Sequence, residues 1–132
     1  MVDPITFRSI EMEQDFYSNK VSSLLRRVVL DAAEWTMNTY GWILSGTSLL
    51  RTPEEDRELR GSGVHVEGRG FDVRTRGIPK KQVDGLAKYV NTRWEYDSKR
   101  PNLLVLFIKP HGTGPHGHFQ VHPRTRRRPE SK

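Results

Sequence analysis

The stretch Leu103-Leu-Val-Leu-Phe-Ile-Lys-Pro-His-Gly-Thr-Gly-Pro-His-Gly-His-Phe-Gln-Val-His122 decides the fold class. Its first six residues, Leu103 to Ile108, are continuously apolar. Such a run fits a strand covered on both faces, and so a central position in its sheet. Lys109 to Pro115 is rich in glycine and proline and reads as a loop. From His116 the character alternates. On a strand His116, His118, Gln120 and His122 share one face, and Gly117, Phe119 and Val121 share the other. Two strands joined by so short a loop pair antiparallel.

Upstream, apolar residues fall at Val21, Leu24, Leu25, Val28, Val29, Ala32, Ala33 and Trp35, the spacing of a helix with one buried face. Ser18 is placed to cap its start and Gly41 to follow its end. Trp42 to Leu50 reads as a strand running into a loop, Arg51 to Arg69 as a polar, glycine-punctuated connection, and Phe71 to Thr75 as another strand. Pro79 suits the first turn of a second helix, whose buried stripe is Val83, Leu86, Ala87 and Val90, with Trp94 a candidate to extend it. Asp97 to Asn102 is a polar turn. The order predicts an α+β domain: a small antiparallel sheet with helices packed on one side.

The chain has 132 residues, the size of one domain, with 34% apolar and 29% charged residues. No apolar run approaches the ~20 residues of a membrane helix. The first fifteen residues carry acids where a signal peptide needs a basic and then an apolar stretch, so the expectation is synthesis in the cytoplasm without an export signal. With no cysteine, disulfides, thiolate metal sites and cysteine nucleophiles are all excluded.

The net charge is +6. Residues 123–132 hold five cations against Glu130 alone, a net +4, which leaves +2 on residues 1–122. The boundary is therefore drawn at His122, with 123–132 expected to be a disordered basic tail, since two prolines and no apolar residue give it nothing to pack. Such a tail suits a polyanion, or serves solubility alone. No DNA- or RNA-binding motif occurs in the body, so no specific nucleic-acid partner is expected.

Four of the five histidines, His111, His116, His118 and His122, lie within twelve residues. Clustered histidines in a cysteine-free chain fit a metal site; a histidine-rich polar loop is the other reading. A second constellation is Ser62-Gly-Val-His65-Val-Glu-Gly68-Arg-Gly70-Phe-Asp72. His65 and Asp72 converge if His65 ends a loop and Asp72 sits on the next strand, with Gly68 and Gly70 bending the backbone between them. Between Phe71 and Val73, the Asp72 carboxylate points away from the face those two bury. There it needs a metal ion or a charged partner, and the other reading is a capping or salt-bridge role with Arg69 or Arg74.

The pattern S-x-x-H-x-x-G-x-[AG]-x-D, followed by H-x-H on a late strand, resembles the hedgehog/D-Ala-D-Ala peptidase superfamily of zinc enzymes. That superfamily includes D-Ala-D-Ala carboxypeptidases and phage L-alanyl-D-glutamate endolysins. The likeness spans about Leu24 to Val121 and implies a hedgehog/DD-peptidase-like fold. It implies one zinc ion held by His65, Asp72 and His118, with Gly117 to Val121 matching the family's final strand. Two imidazoles and a carboxylate leave a tetrahedral zinc one open position, the layout of a catalytic site. The segment Ser45 to Glu55 resembles the stretch that carries a substrate-binding arginine, which makes Arg51 the candidate. The family's acidic base has no counterpart, as no Asp or Glu lies between Asp97 and Glu130. His116, in the H-x-H arrangement, takes that role, and Ser62 and Gln120 are candidates to orient the ligands.

The resemblance implies a zinc metallopeptidase cleaving an amide bond in peptidoglycan stem peptides. Such a protein acts on the cell wall as a phage-type lysin or a virion-associated peptidase. The alternative is a zinc-binding structural or adhesion module of the same fold without catalysis.

Overall fold

The computed structural model describes residues 3–59, 61–109 and 116–129. His111 with the rest of the loop 110–115, and tail residues 130–132, lie outside the described residues. In chain order the elements are β1 (Ile5–Phe7), α1 (Ile10–Phe16), α2 (Ser23–Tyr40), β2 (Leu44–Ser48), α3 (Pro53–Glu58), β3 (Gly70–Arg74), α4 (Lys80–Arg93), β4 (Trp94–Glu95), β5 (Leu106–Lys109), β6 (His116–Gln120) and β7 (Arg126–Arg127). Five strands form one sheet in the order β1-β2-β3-β6-β5, and β4 pairs with β7 apart from it. The class is mixed α and β. The sheet is antiparallel except for β1, which runs parallel to β2.

Alternation on β3 and β6 divides the sheet into two chemically distinct faces. Phe71, Val73, Phe119 and Val121 are buried in the same core as Leu25, Val28, Val29, Ala32 and Ala33 of α2 and Leu86 and Val90 of α4. The opposite face carries Asp72 and His118. Helix α2 buries the face its periodicity predicts but starts at Ser23, after Val21, and its cap is Ser22, whose hydroxyl accepts from Leu25 N. Ser18 instead donates to the Asp15 carbonyl, closing α1. Gly41 ends α2 in the left-handed region at φ 75°.

The apolar run Leu103 to Ile108 does not form a central strand. Its strand, β5, is the sheet edge beyond β6. Apolar residues persist there because Val105 and Leu106 are fully buried and the Phe107 ring lies 4.9 Å from that of His118. The missing neighbour is replaced by Asn91 of α4. Its side-chain oxygen accepts from Val105 N and Leu106 N, each at 3.0 Å, and its amide donates to Leu106 O at 2.7 Å. A helix side chain thus satisfies both backbone groups of Leu106, one way of blunting an exposed edge.

The tail is also corrected. Residues 123–129 fold onto the domain, with Arg126–Arg127 paired antiparallel to Trp94–Glu95. Packing without apolar residues is achieved by charge and hydrogen bonds. Arg124 Nε and Nη2 grip the buried Asp97 carboxylate at 2.9 and 2.7 Å. Hydrogen bonds from Arg124 are the main cause that holds the Asp97 carboxyl well below its usual range. Thr125 is buried and donates to Tyr96 O at 2.7 Å, and the Arg127 guanidinium lies 5.9 Å from the Trp94 ring centre. Among the described residues no helix is long and apolar enough to cross a membrane.

Truncation after His122 is expected to lower the thermal midpoint by about 5 °C or more and to shift tryptophan emission as Trp94 loses its cover. A melt and an emission spectrum check this; a disordered tail would leave both unchanged.

Candidate metal centre

The site is built on one rung of the sheet. In the β3–β6 register Asp72 lies opposite His118, and β5 places Phe107 beside His118. Side chains directly opposite on one face of an antiparallel pair have Cβ atoms about 5 Å apart. His118 Nδ1 and Asp72 Oδ1 accordingly meet at 2.7 Å. On its other side Asp72 faces Ser48, where β2 carries an extra residue, Thr47, between its paired positions Gly46 and Ser48.

His65 arrives from outside the sheet. The segment before β3 folds back on itself, with Arg69 N bonded to Val64 O at 2.7 Å and Gly68 N to His65 O at 3.4 Å. Gly68 turns at φ 70°, and a Cβ there would strike the Lys20 carbonyl. Gly70 leaves room for the imidazole itself, since a Cβ would lie 3.2 Å from His65 Cδ2. Gly68 therefore bends the chain as expected, whereas Gly70 lies on β3 and contributes space rather than a bend, and His65 and His118 end with ring centres 5.1 Å apart.

One hydrogen bond fixes the chemistry of His65. Its Nδ1 lies 2.6 Å from the carbonyl of Leu49, an acceptor only. Nδ1 therefore carries the proton, and in the neutral ring Nε2 presents a bare lone pair. That atom is buried, 3.4 Å from Asp72 Oδ1, and makes no hydrogen bond. Two acceptors facing each other at this distance repel unless a proton or a metal cation lies between them. Ligand-capable atoms of His65, Asp72 and His118 all lie within 4.8 Å of one another, and all three residues are buried. The donor set of two imidazoles and one carboxylate fits a divalent metal ion of the zinc type. A backbone carbonyl on the far nitrogen of a ligand histidine is the usual way its ring is oriented.

Arg51 stands behind the carboxylate. Its Nη2 lies 3.1 Å from Asp72 Oδ2 and its Nη1 3.3 Å from Asp56 Oδ1. Asp56 Oδ2 accepts from Gly63 N at 3.0 Å. Burial alone would push the Asp72 carboxyl up. The hydrogen bond from His118 is the main cause that opposes this and holds Asp72 well below the usual carboxylate range. For His118 the balance is reversed: burial pushes its imidazole down and Asp72 only partly restores it.

The remaining candidates are distributed as follows. His116 is on the same face as His118, two rungs along, opposite Arg74 and Lys109. Gln120 is buried but donates to Leu104 O at 2.8 Å, so it ties β6 to the approach of β5. Ser62 is exposed. The groups that orient the ligands are instead the Leu49 carbonyl and Arg51, both just past β2. A backbone carbonyl leaves no trace in a sequence. Asp56 had one: Thr52-Pro-Glu-Glu55 is a capping box, with Thr52 and Glu55 bonded reciprocally, and it starts the helix that carries Asp56.

No family model, curated protein or solved structure matches the chain.

In the metal-free protein these shifts fix the direction of pH dependence. Unfolded His118 takes up a proton near 6.5 while the folded residue resists it, so stability is expected to fall as pH drops below that value. The contribution of Asp72 is lost lower, as pH falls through and below 3.8. Denaturant midpoints measured across this range check both phases, and His118→Asn should flatten the first.

Proposed function

We propose that the chain is a zinc peptidase of hedgehog/D-Ala-D-Ala peptidase type that hydrolyses an amide bond in peptidoglycan stem peptides. One observation carries this reading: the buried, unpartnered Nε2 of His65 turned toward Asp72 and His118. The resemblance of Ser62 to Asp72 and of His116 to His118 to that family supplies the substrate class.

When bound by the three residues, zinc supplies Lewis-acid polarisation of the scissile carbonyl and activation of water. The chain's own groups do the rest. His116, two rungs from His118 on the same face, accepts the proton of the attacking water and passes it to the leaving nitrogen. Arg51 presents a rigid fork of donors to a substrate oxygen when it swings from Asp72. The protein acts on the wall after release from the cell or as part of a virion. Basic residues Arg126 to Arg128, exposed on the docked tail, offer a contact for wall polyanions.

A second reading, a zinc-holding module without turnover, is favoured by the fate of the carboxylates. Asp56, the acid nearest Asp72 through Arg51, is engaged by Arg51 and the Gly63 amide rather than held as a base.

Metal analysis is expected to give one zinc per chain, lost in His65→Ala, Asp72→Ala and His118→Ala. His116→Ala should keep the metal and slow release of free amino groups from peptidoglycan by about a hundredfold or more. Metal bound by the wild type with no amino groups released selects the module; metal lost in His116→Ala but kept in His118→Ala reverses the two roles.

A further inference from the structure

Arg51 lies between two carboxylates in a place shielded from water. The side chains of Arg51, Asp56 and Asp72 are 14%, 9% and 8% exposed. Each carboxylate takes one nitrogen of the guanidinium, at 3.3 and 3.1 Å, and the buried Nε takes no partner. Asp72 is thus divided: Oδ1 faces the imidazoles and Oδ2 faces a cation that pulls electron density the other way. In surroundings of low polarity a neighbouring charge has a larger effect than it has in water. A full positive charge on Oδ2 weakens Oδ1 as a donor to a metal ion.

We propose that Asp56 is a positioning residue that tunes the metal affinity of the His65–Asp72–His118 centre by neutralising Arg51. With Asp56 charged, the guanidinium is shared and Asp72 keeps its donor strength. Without that charge, Arg51 falls wholly to Asp72 and competes with the ion. Asp56 also fastens the loop leading to His65, through the 3.0 Å bond from Gly63 N. Its second contact is structural and separable, because an asparagine oxygen can still accept from that amide. The inference rests on the metal reading of the centre.

The test is a double-mutant cycle read by zinc titration of the full chain, with thermal melts to confirm folding. Asp56→Asn is expected to weaken zinc binding about tenfold or more, the scale on which partners of metal ligands act. In an Arg51→Gln background the same substitution should leave affinity unchanged, because the charge it unmasks is gone. Asp56→Glu, which keeps the charge, should bind zinc nearly as the wild type does. An equal loss in both backgrounds, or a loss in Asp56→Glu as large as in Asp56→Asn, overturns the proposal and makes Asp56 a loop fastener only. A wild type that takes no zinc overturns the metal reading and this inference together.

Discussion

Asp72 and His118 belong to strands separated by more than forty residues, and only the antiparallel register of β3 on β6 sets them side by side. Side chains alternate between faces with a period of two, so a slip of one residue would carry Asp72 into the helix-covered core and Phe71 or Val73 out of it. Four buried residues, Phe71, Val73, Phe119 and Val121, oppose that slip. The apolar face therefore fixes the geometry of the polar one. Burial contributes at the site through a cause located on its far side.

The polar face carries an arrangement that an apolar core alone would not tolerate. Burying a carboxylate costs free energy unless it is paired. Here Asp72 receives His118 on one oxygen and Arg51 on the other. The Leu49 carbonyl then dictates which nitrogen of His65 keeps its proton. With that tautomer fixed, His65 Nε2 meets Asp72 Oδ1 at 3.4 Å with no hydrogen bond between them, and His65, Asp72 and His118 are grouped closely enough to hold a metal ion there.

How much of this was legible beforehand depended on the range of the interaction. The face shared by His116, His118 and Gln120 follows from strand periodicity, and the return of the chain between His65 and Asp72 follows from Gly68. Helices α2 and α4 show in their apolar spacing. What escaped was decided by distant partners. Leu103 to Ile108 looks central because both faces are apolar, yet its outer neighbour is one asparagine from α4 rather than a strand. The tail looks unpackable on composition alone, because Asp97 and Trp94, which receive it, lie some thirty residues earlier. Ser62 and Gln120 have the right chemistry to orient ligands but the wrong surroundings, with one in solvent and one committed to Leu104.

The asparagine on the edge of β5 bears on encounters between molecules. A sheet grows sideways when a newcomer finds unclaimed amide and carbonyl groups along its last strand. At Leu106 both are already occupied from within the same chain, by a side chain rooted in α4. A second sheet approaching there would have to evict Asn91 and strand its amide before making its first bond. One residue of a helix thereby closes the first outward position of that border to an incoming strand.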